Sequence, residues 1–322
     1  TPEIYTLSLH DALPIWAAGA DAVKFQTFIT TDCITRGAAK AEYQAVNDGA
    51  GESQFDMVRR LELSFGDFEK LKQACVGAGI LFSSTPFDLA SVDFLHRLGC
   101  PFWKVASGEI TNLPLLRRIA RHGGPVIMST GMATLDEVDG ARRVLVSNGI
   151  REDDLTLLHC HTDYPTRFED ANLRAMGALK AAFPRCHVGF SDHTPGVEAA
   201  VAAVALGAEV VEKHFTLDRE LPGPDHRASL VPSELACLVR SIRNVEAALG
   251  DGVKRPSEAE LKIREVARKS LVAARPIRRG ERFSEENLAV KRPGGGVDPM
   301  RWDDYVGRSA TRDYGKDEPI DA

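Results

Sequence analysis

Val188-Gly-Phe-Ser-Asp-His-Thr194 and Val210-Val-Glu-Lys-His-Phe-Thr216 each end a short apolar run in a histidine, and His193 and His214 stand 21 residues apart. A strand, a crossover helix and the next parallel strand fill about that distance, so both imidazoles emerge at the same end of neighbouring strands. The same rhythm extends outward in both directions. Strand-like runs occur at 21–26, 80–85, 102–107, 126–130, 155–160, 187–192 and 209–215. Amphipathic helical stretches lie between them at 68–79, 89–99, 113–122, 135–149, 171–183, 197–207 and 233–250, several ending in Gly. Such an alternation predicts an α/β fold, a TIM (β/α)8 barrel. An open doubly wound sheet is the alternative, but no Gly-rich dinucleotide fingerprint follows the first strand.

The barrel is one strand short. Only 20 residues precede Asp21, fewer than the ~30 that a strand-plus-helix unit needs. The string Thr6-Leu-Ser-Leu-His-Asp-Ala-Leu-Pro-Ile15 reads as translated sequencing-adapter sequence, so residues 1–15 are expected to be non-native. Ile4–Leu9 could stand in as a strand. The expected domains are then a barrel over 16–250, a polar linker over 251–266, and a small module over 267–322.

With 322 residues, 43% of them hydrophobic, the chain can bury one large core and one small module. Its net charge of −6 includes no basic block, which argues against nucleic acid. No apolar run approaches the ~20 residues of a membrane span. The six cysteines lack paired spacing, the pattern of reduced thiols in a cytoplasmic protein.

Polar residues recur at the strand ends, where barrel enzymes carry their chemistry. Taken singly, each is as well explained by strand-end solvation or helix capping; their shared location favours a site. Lys24 and Lys104 with Ser107, Ser129 and Ser191 make a cationic, hydroxyl-rich floor suited to phosphate and carboxylate. His193 and His214 could be a hydrogen-bonded core pair. Matched positions on consecutive strands favour a divalent-metal site instead, of a type that suits Mn, Co, Zn or Fe better than all-oxygen Mg. Glu212 falls on the face of His214 and is expected to support that ligand. Pro222-Gly-Pro-Asp225 is either a rigid loop or one that presents Asp225 over the mouth.

Nine strings in consistent order resemble the sialic acid synthase family, the N-acylneuraminate synthases, which include the N,N'-diacetyllegionaminate synthases. They are Ala22-Val-Lys-Phe-Gln-Thr27, Ser84-Thr-Pro-Phe-Asp88, Lys104-Val-Ala-Ser-Gly-Glu109, Ser129-Thr-Gly-Met132, Tyr164-Pro165, Gly189-Phe-Ser-Asp-His-Thr194, Glu212-Lys-His-Phe-Thr216, Pro222-Gly-Pro-Asp225 and Lys291-Arg-Pro-Gly294. The resemblance covers about residues 16–320. It implies a barrel joined to a C-terminal antifreeze-like (SAF) domain, in a homodimer whose SAF domains cap the partner barrels. The implied reaction condenses phosphoenolpyruvate with N-acetylmannosamine or a related acylated amino sugar. By the same resemblance, His193 and His214 hold a divalent metal, typically Mn²⁺ with Mg²⁺ or Co²⁺ as alternatives, and are catalytic together with Glu109 and Gln26. Lys24, Thr85, Lys104, Ser107, Ser129 and Ser191 bind phosphoenolpyruvate; Gln26, Glu109, Tyr164, Asp225 and a partner's Arg292 hold the sugar.

Two departures stand out. Nothing in Thr1–Ala18 matches the family's first-strand Glu-Ile-Gly-x-Asn-His-type segment, whose acid takes part in proton transfer. Cys160-His161-Thr162-Asp163 also differs from the Thr/Ser/Asn-rich stretch usual before that tyrosine. Two readings of other classes follow: a Schiff-base aldolase using Lys24, Lys104 or Lys213, and an inactive truncated barrel with a carbohydrate-binding or dimerisation role.

Overall fold

Strand alternates with helix from Ala22 to Leu249, and every strand of this run that pairs does so in parallel. The computed structural model describes residues 12–41, 44 and 51–321. Its contacts divide the chain after Gly250 into two compact units. The first unit runs α1 (Ala12–Ala17), β1 (Ala22–Thr27), α2 (Thr30–Cys33), α3 (Gln54–Leu61), α4 (Phe65–Ala78), β2 (Leu81–Pro86), α5 (Leu89–Leu98) and β3 (Trp103–Val105). It continues α6 (Leu113–His122), β4 (Val126–Ser129), α7 (Leu135–Ser147), β5 (Leu155–Cys160), α8 (Ala175–Ala182), β6 (His187–Asp192), α9 (Glu198–Ala205), β7 (Val211–Lys213) and α10 (Pro232–Leu249).

Local chemistry sets many of these boundaries. Ser64 with Asp67 and Thr134 with Glu137 form reciprocal capping boxes that start α4 and α7. The Asp88 carboxylate accepts from the Ser91 N–H to start α5. Gly79 and Gly99 end α4 and α5 at φ 77° and 75°, a left-handed conformation that glycine reaches without a Cβ penalty.

Among the described residues the sheet curls as seven strands in two ladders. β1 pairs with β2, and β3 to β7 pair successively. Between the ladders the Ser83 hydroxyl donates to the Phe102 carbonyl at 3.3 Å. Beyond β7, Phe215 makes an isolated parallel bridge to Leu230. Val126, Met128, Leu155 and Leu157 are fully buried on the strands, in one core with Leu116, Ile119 and Leu145 of the surrounding helices. Burial of this layer between sheet and helices supplies the main stabilisation, at roughly 25 cal/mol per Å² of apolar surface.

Several expectations change. β3 stops at Val105 because Ser107–Glu109 tightens into a 3₁₀ turn, and β7 stops at Lys213, so His214 lies just past the strand. α8 begins at Ala175, after a 3₁₀ turn over Phe168–Asp170 and a positive φ at Asn172. α3 was not anticipated; Ser53 caps it, and it buries Phe55 and Met57. The expected linker is helical over much of its length as α11 (Glu258–Ala267), started by a Ser257/Glu260 capping box. This helix buries no side chain; even its Leu261, Ile263 and Val266 are exposed. Ile15, assigned to the non-native segment, is only 6% exposed and joins the core. The proposed strand Ile4–Leu9 lies outside the described residues.

The second unit pairs β8 (Ser270–Ala273) with β9 (Leu288–Lys291) antiparallel and adds the short α12 (Trp302–Tyr305). Its core gathers Leu271, Ile277, Phe283, Leu288, Tyr314 and Ile320.

Gly189 shows how closely β6 and β7 approach. A Cβ there would lie 2.3 Å from the Val210 carbonyl oxygen and 2.7 Å from a Leu158 methyl. Gly189→Ala is expected to destabilise the chain by roughly 1–3 kcal/mol through overpacking, measured by denaturant unfolding; an unchanged midpoint would disprove this close fit.

Candidate active site

One carboxylate organises the floor of the curled sheet. Glu212 on β7 lies 3.6 Å from the Lys104 ammonium of β3 and 3.7 Å from the Lys24 ammonium of β1. The Ser191 hydroxyl of β6 donates to it at 2.7 Å. Lys104, 3% exposed, also donates to the Ser129 hydroxyl at 2.6 Å and the Val105 carbonyl at 3.1 Å. Burial would raise the Glu212 carboxyl, but Lys104, Lys24 and the Ser191 hydroxyl outweigh it and hold it at about 2. Burial lowers Lys104, with Glu212 opposing. Two ammonium groups against one carboxylate leave a net positive charge on a hydroxyl-rich floor, which suits an incoming anion. Glu212 was expected to support His214; its direct partners are the two lysines and Ser191, and it acts on His214 only through its charge, because strands β1, β3 and β7 converge in the interior.

Beside this floor, the His193 and His214 rings stand 5.2 Å apart edge to face. The His193 Nδ1–H donates to the His161 carbonyl, which leaves the neutral ring's lone pair on Nε2. Burial drives both imidazoles down to about 4, helped at His193 by His214 and at His214 by Lys24. Both are therefore neutral at pH 7. Tyr164, at a cis bond to Pro165, packs its ring, tilted by 33°, 4.0 Å from His193 and meets His214 edge-on at 5.3 Å. Asp225 lies 3.9 Å from His214. Burial raises the Asp225 carboxyl, and its buried Oδ1 has no hydrogen-bond partner.

The remaining predicted residues are less tightly gathered. Ser107 accepts from the Gly131 N–H at 3.0 Å, and the Ser107 and Ser191 hydroxyls both lie against the buried Cys160 thiol. Gln26 and Thr85 are register partners on β1 and β2; Thr85 is buried with an unpartnered hydroxyl, while Gln26 is exposed. Glu109 accepts from Asn112 at 2.6 Å, and burial and then nearby Asp88 raise its carboxyl. Arg292 lies on an exposed turn of the second unit, before a cis proline.

In the sequence Cys160 stood out only as part of a departure from the family pattern, and the His161 carbonyl did not stand out at all. The register pairing Cys160 with Ser191 is the signal that could have found the first; a backbone carbonyl leaves none. Lys213, a Schiff-base candidate, is withdrawn into a buried pair with Asp192 at 2.7 Å.

Among the described residues no three His, Cys, Asp or Glu side chains converge as a closed metal cage. Two neutral imidazoles near an orphaned carboxylate oxygen nonetheless fit a divalent ion that keeps open positions.

The NeuB family matches residues 14–254, and the SAF domain matches residues 268–322. The N,N'-diacetyllegionaminic acid synthase of Campylobacter jejuni is 50% identical over 94% of this chain and 90% of its own. The protein of the same name from Legionella pneumophila is 45% identical over 90% of this chain and 82% of its own. A crystal structure of the N-acetylneuraminic acid (sialic acid) synthetase of Leptospira borgpetersenii superposes with a TM-score of 0.68 at 33% identity, covering 80% of this chain and 84% of that one.

Glu212→Gln removes the counter-charge of both lysines. With a fifth of Glu212 exposed, solvent softens the penalty, and a loss of roughly 2 kcal/mol in stability is expected. Inorganic phosphate should raise the melting midpoint more in this variant than in the parent. An equal response of the two proteins would refute the charge balance assigned to the floor.

Proposed function

The chain belongs to the NeuB family, with a SAF domain following, and we propose that it condenses phosphoenolpyruvate with an acylated amino-sugar aldehyde to make a nonulosonic acid. One observation carries this reading: a net-positive, hydroxyl-rich floor around Glu212 lies beside two neutral imidazoles. Lys24, Lys104, Ser129 and Ser191, with Thr85 and Ser107, would hold the phosphate and carboxylate of phosphoenolpyruvate. Gln26, Glu109, Tyr164, Asp225 and Arg292 of the partner subunit in a SAF-capped homodimer would hold the sugar.

In the reaction the methylene carbon of phosphoenolpyruvate attacks the aldehyde carbon and forms the new C–C bond. The aldehyde oxygen takes up a proton. Water then adds to the resulting cationic carbon, losing a proton, and the tetrahedral hydroxy phosphate breaks its C–O bond, its hydroxyl becoming the ketone as its proton passes to the departing phosphate. A divalent metal bound by His193 and His214, most simply Mn²⁺, would supply Lewis-acid polarisation of the aldehyde oxygen. The floor keeps phosphoenolpyruvate oriented, and its cations offset charge on the departing phosphate. Glu109 and Gln26 would fix the sugar's hydroxyl groups. Six free thiols support a reducing, cytoplasmic setting.

Two sugars compete as substrate. The sequence reading put N-acetylmannosamine first. The 50% and 45% identities to the two diacetyllegionaminic acid synthases, against 33% to the sialic acid synthetase, favour a 2,4-diacetamido-trideoxy sugar. Phosphate release assayed with each sugar decides between them; the expected result is faster turnover of the diacetamido sugar, and turnover of neither by a version with the family's first-strand segment restored would reject both.

EDTA should abolish activity and Mn²⁺ restore it, while His193→Ala should stay inactive with added metal. Lys104 is the best remaining Schiff-base candidate, but Ser129, Val105 and Glu212 surround its ammonium group with acceptors. Borohydride with pyruvate is therefore expected to trap no adduct; trapping on Lys104 would favour the aldolase. Calorimetric binding of phosphoenolpyruvate that disappears in Lys104→Ala is the expected result against a merely structural barrel.

A further inference from the structure

The ends of β6 and β7 are joined by an ion pair that touches neither the anion floor nor the mouth. Asp192 and Lys213 are register partners, the last residue of each strand, with side chains 0% and 3% exposed. The Lys213 ammonium donates to Asp192 Oδ2 at 2.7 Å and also to the Thr194 carbonyl. Asp192 Oδ1 accepts from the Thr194 N–H and hydroxyl, both at 2.8 Å. The polar groups of the pair are thus satisfied on both sides of His193, and the lysine immediately precedes His214.

Strand alternation explains the arrangement. Ser191 and Glu212 point to the floor, so Asp192 and Lys213 point to the opposite face, and Glu198 at the start of α9 and Glu234 near the start of α10 add attraction for the lysine. A charge pair in such a place is not required for stability, since apolar side chains of similar volume often do as well. What apolar side chains could not do is hold the Thr194 carbonyl and N–H at once. Those two bonds fix the backbone that carries His193, while the lysine ties it to the residue before His214.

We propose that the buried Asp192–Lys213 pair is a positioning device that fixes the His193 backbone and the separation of the two imidazoles. The proposal rests on the reading of those imidazoles as metal ligands, and it goes beyond that reading by naming residues that act through them. Both side chains are occupied with each other and with Thr194 on the face opposite the floor, so each is a positioning residue and not a catalytic one.

The test uses the full chain and three variants: Asp192→Asn, Lys213→Met and the charge-free double variant. The double variant guards against a single variant that fails to fold with an unpaired buried charge. Mn²⁺ affinity is read by electron paramagnetic resonance, and phosphoenolpyruvate affinity by calorimetry in EDTA. Proton–nitrogen NMR reads the Nδ1–H resonance of His193. The expected result is an Mn²⁺ affinity lower by about tenfold or more in the folded variants, with phosphoenolpyruvate binding changed by less than about twofold. The His193 resonance should shift as well. Unchanged Mn²⁺ affinity and an unmoved resonance in the folded double variant would overturn the proposal, as would equal loss of both ligands. If the parent protein binds no Mn²⁺, the metal reading fails by itself; the His193 resonance then decides the positioning role alone, a shift upholding it and its absence overturning it.

Discussion

The attraction of two lysines to one half-buried carboxylate governs the interior of the first unit. Lys24 and Lys104 come from strands β1 and β3, which sit in different ladders, yet both reach Glu212 on β7. Without an anion between them, two ammonium groups so close in a partly buried space would repel each other strongly. Glu212 prevents that and still leaves an excess of positive charge. The hydroxyl groups of Ser129 and Ser191 bond directly to members of this cluster, so the floor is organised before any ligand arrives.

The histidines answer to a different constraint. Their neutrality follows from burial, reinforced at His193 by the nearby His214 ring and at His214 by Lys24, and not from a carboxylate partner. A neutral imidazole is a ligand, whereas a protonated one is another cation beside Lys24. Keeping Glu212 engaged with the lysines therefore leaves two environments side by side, a net-positive floor and a pair of neutral imidazoles. The Asp192–Lys213 pair, on the far face of the same two strands, keeps its own charges out of both.

Much of this was legible in the chain. Gly-terminated helices and seven apolar runs gave the parallel strand–helix order, since period and punctuation are local properties. The pairing of His193 with His214 followed from their matched positions on successive strands, and the lysine-and-serine floor followed from strand-end placement. Helix α11 escaped because its few apolar residues, Leu261, Ile263 and Val266, stay exposed among charges, and α3 because its apolar face is short and its best signal is the cap at Ser53.

By itself the sequence determined the order of the elements, the positions at strand ends, and the kinds of group available there. Those depend on spacing along one chain. Only the tertiary structure decided which cation meets which anion. Glu212 could as well have served His214, its neighbour two residues on, as Lys24 or Lys104. Lys213 could have faced the mouth. Curvature of the sheet and the alternation of each strand settle such choices, because they bring together residues separated by more than a hundred positions, and no local pattern in the chain encodes that distance.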